Sequence, residues 1–91
     1  VSSTYTGERR THLRALAEIL PEHGLVGRMM GGDDPMLRVW HPGTGRQTII
    51  FATLTPGGWV FLWSSGGQGR ADDLDRTARA LRHTLDTPPP G

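Results

Sequence analysis

The sequence contains no cysteine. That excludes a disulfide framework, a thiol nucleophile and any zinc ribbon or cysteine-based finger, and it fits a cytoplasmic location. Lysine is also absent, so all ten basic residues are arginine. With nine acidic residues they leave a formal charge of +1. So even a balance argues against a polybasic protein that coats nucleic acid or an anionic membrane. Arginine is the better side chain for bidentate pairing with carboxylate or phosphate, but its exclusive use, beside abundant glycine and proline, reads first as the codon bias of a GC-rich bacterial genome. No apolar run approaches the roughly 20 residues of a membrane span. The opening segment, VSSTYTGERR, has no hydrophobic signal core.

The 91 residues suffice for one domain, read here as 1–91 with an ordered core over about 7–86 and a proline-rich tail at 87–91. A chain of this length buries a modest share of its surface, so a partner or a second copy would add useful stability. Residues 1–6 are expected to fray. Residues 7–20 read as an amphipathic helix with Thr6 as N-cap, because Leu13, Leu16, Ala17 and Leu20 form one apolar stripe. Pro21 ends it and Gly24 lets the chain reverse. Residues 25–31 fit either an edge strand or an irregular connection, and GGDDP at 31–35 is turn chemistry.

Three strands follow, at 36–41, 47–54 and 59–64, joined by Pro42–Gly43–Thr44–Gly45 and Thr55–Pro56–Gly57–Gly58. Residues 65–70 are expected to be a glycine loop. Residues 71–86 read as a second helix, with Asp72 as N-cap, Asp73 and Asp75 in the first turn, and Leu74, Ala78, Leu81 and Leu85 on one face. The expected fold is α+β: a two-layer, three- to four-stranded antiparallel meander with N- and C-terminal helices on one face.

Within the meander the apolar residues fall on both alternation phases. Leu37, Val39, Val60 and Leu62 have the right size to receive the helices, which would turn Trp40, Trp59, Phe61 and Trp63 outward. The reverse packing puts the large rings in the core. Trp40, Trp59, Phe61, Trp63, Ile49 and Phe51 are therefore the interface candidates, since an exposed aromatic patch marks a homodimer or protein-partner surface.

Other chemistries find less support. Aromatic strands bordered by Arg28, Arg38, Arg46 and Arg70 would suit an anion or a single-stranded nucleic acid. Met29 and Met30 could line a small-molecule pocket with the tryptophans. His12, His23, His41 and His83 lack any fixed metal-ligand spacing, and Asp33, Asp34 and His41 form no known motif. Ser64–Ser65 lacks the pattern of a strained nucleophile turn. GGQG at 66–69 leads toward a helix start, but Asp72 and Asp73 would compete with a phosphate there. No catalytic, metal or cofactor-binding residue is assigned. The sequence predicts a small non-catalytic interaction or accessory module.

Overall fold

The computed structural model describes residues 2–63 and 67–86, with side chains from residue 7 onward. The chain forms helix α1 (Ser2–Ile19), a 3-10 turn (Leu20–His23), strands β1 (Val26–Met30), β2 (Met36–Trp40), β3 (Gln47–Thr55), β4 (Gly58–Trp63) and β5 (Gly67–Arg70), and helix α2 (Leu74–Asp86). The strands make one antiparallel sheet in the order β1-β2-β3-β4-β5. This is the α+β meander expected from the sequence, with five strands in place of three or four.

Both helices pack on the same face. Leu13, Leu16 and Leu20 of the first stripe and Ala78, Leu81 and Leu85 of the second share one core with Leu37, Val39, Ile50, Ala52, Phe61 and Trp63. Helix α1 gives way to the 3-10 turn at Pro21, and Gly24 closes it with φ of 75° while its N–H bonds back to Leu20 and Pro21. A residue with a Cβ would be strained there.

Several boundaries differ from the sequence reading. Helix α1 starts at Ser2, so Thr6 lies within it and is not its cap. Residues 26–30 resolve the ambiguity of 25–31 in favour of a strand. Residues 67–70, expected as loop, form β5. This strand has no apolar side chain to announce it, and its glycines serve close packing instead. A Cβ on Gly67 would collide with the Trp63 indole, and one on Gly69 with the buried Thr77 side chain. Helix α2 starts at Leu74, with Asp73 rather than Asp72 in the capping role: its Oδ1 accepts the Arg76 N–H at 3.3 Å. Asp72 is diverted to Arg70, whose Nε and Nη2 both reach it at 3.0 Å. The expected tail at 87–91 and Ser64–Ser65 lie outside the described residues.

Candidate functional site

The register decides which face each strand residue takes. Antiparallel partners lie on the same face, and Leu37 pairs with Ile50, which pairs with Trp63. A core-facing Leu37 therefore brings Trp63 and Phe61 inward and turns Val60 and Leu62 outward. The outward placement of the β4 rings is thus corrected: Phe61 is fully buried, Trp63 is 6% exposed, and Trp59 is half-buried against the core. The ring of His12 packs beside Trp59 at 5.0 Å between centroids. Phe61 and Trp63 are core, and Trp59 packs at its edge on the helix side of the sheet, so the three rings do not make an outward aromatic face. The turn lengths set this register, and neither alternation phase of WVFLW could reveal it.

The opposite face of the sheet has no helix among the described residues. Its side chains fall into rows that run across the strands. Met30 lies opposite Met36, and Phe51 opposite Leu62, which in turn lies opposite Gln68. Continuing the β2–β3 register by one residue places Met36 beside Phe51. Met30, Met36, Phe51 and Leu62 thus form a single apolar row across four strands. Phe51 is 45% exposed, and Met30 and Leu62 are each 38% exposed.

The neighbouring row is Arg28, Arg38 and Ile49; beyond it lie Val26, Trp40 and Gln47. On the other side of the apolar row lie Thr53, Val60 and Arg70. Of the interface candidates, Trp40, Ile49 and Phe51 do share this open face. A shallow depression of about 670 Å³ lies over Met30, Arg38, Gln47, Ile49 and Phe51.

The four arginines considered as anion contacts separate. Arg28 and Arg38 are direct cross-strand partners on the open face. Arg38 is held in place: its Nε donates to Gln47 Oε1 at 2.7 Å, and its guanidinium lies 5.6 Å from the Trp40 ring centroid. Both are exposed, and Arg28 has no hydrogen-bond or ion-pair partner among the described residues. Arg70 is already matched by Asp72, which raises the Arg70 pKa and lowers that of the carboxyl through their hydrogen bonds. Arg46 turns toward α2 and donates to the Thr84 carbonyl at 3.5 Å. The expected Met29–Met30 pocket does not form as a joint site, because alternation sends Met29 to the core side and Met30 to the open face.

The histidines serve structural contacts where the geometry is clear. His23 Nε2 lies 3.0 Å from Asp75, and His41 Nε2 lies 2.8 Å from Asp86. No group of three His, Asp or Glu side chains able to hold a metal ion occurs among the described residues. No described helix is long and apolar enough to cross a membrane. No family model, curated protein or solved structure matches this chain.

Proposed function

We propose that this domain is a small non-catalytic interaction module that receives a protein partner on its open sheet face. The carrying observation is the row Met30, Met36, Phe51 and Leu62, apolar side chains left partly in water on the side of the sheet away from both helices. A contiguous apolar patch on a small protein marks an interaction surface. Methionine adds adaptability to such a surface, since its unbranched side chain repacks against different shapes. The cysteine-free composition suits a cytoplasmic module of this kind.

The nucleic-acid reading loses its main support when Trp59, Phe61 and Trp63 turn inward. A single strand needs rings on which successive bases stack, and the centre of the open face is mostly aliphatic.

The test is an amphipathic helical peptide with a Leu/Met stripe and a glutamine rim, titrated into isotope-labelled protein. The expected result is saturable binding, with amide shifts centred on Met30, Met36, Phe51 and Leu62 and binding weakened at least fivefold by Phe51→Ser. Binding that maps elsewhere, or no binding at millimolar peptide, would overturn the reading. Light scattering over the same concentrations checks the alternative occupant: a dimer dissolved by Phe51→Ser would put a second copy on this face in place of a different partner.

A further inference from the structure

The open face has a charge pattern that the apolar row alone does not explain. None of the five strands contains an aspartate or a glutamate. All nine carboxylates of the chain lie in helices or connections. The carboxylates nearest the strand ends are partly spoken for: Asp34 binds Arg9 at 2.7 Å and Asp72 binds Arg70, while Asp33 stands in the β1–β2 connection. The face therefore carries Arg28 and Arg38 side by side with no acidic strand neighbour. Like charges directly opposite each other across a ladder are destabilising. The Gln47 contact and the Trp40 ring orient Arg38 but leave its terminal amino groups without a partner among the described residues.

We infer that the partner is an amphipathic helix whose apolar stripe is bordered by carboxylates, lying along the Met30–Met36–Phe51–Leu62 row with its acidic flank over Arg28 and Arg38. This rests on the interaction reading above and specifies its partner. The dimensions agree. The row spans three inter-strand spacings, about 14 Å, and an apolar stripe from i to i+10 on a helix covers about 15 Å. The arginine row lies two residues along the strands, about 7 Å from the apolar row, which is near the flank of a helix about 10 Å in diameter. A second copy stacked face to face would bring no strand carboxylate to the arginine pair. A single-stranded nucleic acid would meet the arginines, but the described strands offer it only two rings on this face, Phe51 and Trp40, which lie two rows apart with Trp40 already covered by Arg38.

The experiment uses the glutamine-rimmed peptide and two versions with glutamate or lysine at the rim, plus an oligothymidylate, each titrated into the intact protein at low and high salt. The expected order is glutamate, then glutamine, then lysine, with glutamate at least tenfold tighter than glutamine at low salt. High salt should narrow that gap, and the double variant Arg28→Gln/Arg38→Gln should erase it. Equal binding of the glutamate and glutamine peptides would overturn the acidic flank yet leave the apolar docking face standing. Binding of none of the peptides would overturn both. Oligothymidylate binding tighter than the glutamate peptide, and lost in the double variant, would replace the helix with a nucleic acid.

Discussion

Phe51 and Phe61 lie on adjacent strands and on opposite faces of the sheet. They bury very different amounts of surface, so their truncation should cost very different amounts. Phe61→Ala removes a fully buried ring from among Leu and Ile side chains and should destabilise the fold by about 3–5 kcal/mol. Phe51→Ala removes a ring already half in water and should cost less than about 1 kcal/mol. Urea unfolding of the two variants measures both, and comparable losses would show that the two faces are not as distinct as their burial implies. This contrast is also where sequence reading reached its limit. Both phases of β4 are apolar, so alternation identifies two candidate core faces and cannot choose between them. The choice depends on which residues of β2, β3 and β4 pair, and that is fixed by two turns whose geometry the strand residues do not encode. The candidate site divided accordingly, with Trp40, Ile49 and Phe51 on the open face and Trp59, Phe61 and Trp63 on the helix side.

The helices were legible because leucines at spacings of three and four leave a single buried stripe. Strand β5 was not, because GQGR offers no apolar residue to count, and its fit to α2 depends on the absence of side chains. Gly69→Ala should therefore destabilise the domain by about 1–3 kcal/mol, since the added methyl meets a buried Thr77 that also bonds the Arg70 carbonyl. Thermal melting of this variant beside Gly32→Ala, where nothing lies nearby, separates the clash from the loss of a glycine.

The other end of α2 is fastened by a small polar network. His41 Nδ1 accepts the N–H groups of Gly43 and Thr44 at 2.9 and 3.2 Å, which leaves its ring proton on Nε2 to be donated to Asp86. Asp86 also accepts from Arg82, and Arg82 reaches back to the His23 carbonyl. Arg82 first, and His41 second, hold the Asp86 carboxyl below its ordinary pKa. A carboxyl whose pKa is lower folded than unfolded contributes stability above the ordinary range of about 4, and the contribution fades as pH falls through the folded value. Asp86→Asn should thus lower the urea midpoint at pH 7, with the gap to wild type narrowing toward pH 3. A gap that is constant with pH would mean that the carboxylate charge has no part in the fastening.

At the scale of the whole molecule, a nearly neutral composition conceals a segregated one. The formal charge of +1 is the sum of a sheet without carboxylates and helices and connections that carry all of them. Composition could not show this, because it counts charges without regard to which surface they share. The segregation runs against stability at Arg28 and Arg38, where a sheet selected for folding alone would set opposite charges across the ladder. Proteins commonly surrender some stability at surfaces kept for function. Arg28→Glu should accordingly stabilise the isolated domain, by about 0.2–1 kcal/mol, because the new carboxylate faces Arg38 across the strands. The gain should shrink in high salt, since the pair is exposed. The control is Arg28→Gln, which relieves the repulsion without adding an attraction and should fall between Arg28→Glu and wild type. Chemical denaturation at two salt concentrations measures all three proteins. If Arg28→Glu is less stable than wild type at low salt, the arginine pair is already compensated within the domain, and its charge no longer points to an acidic partner.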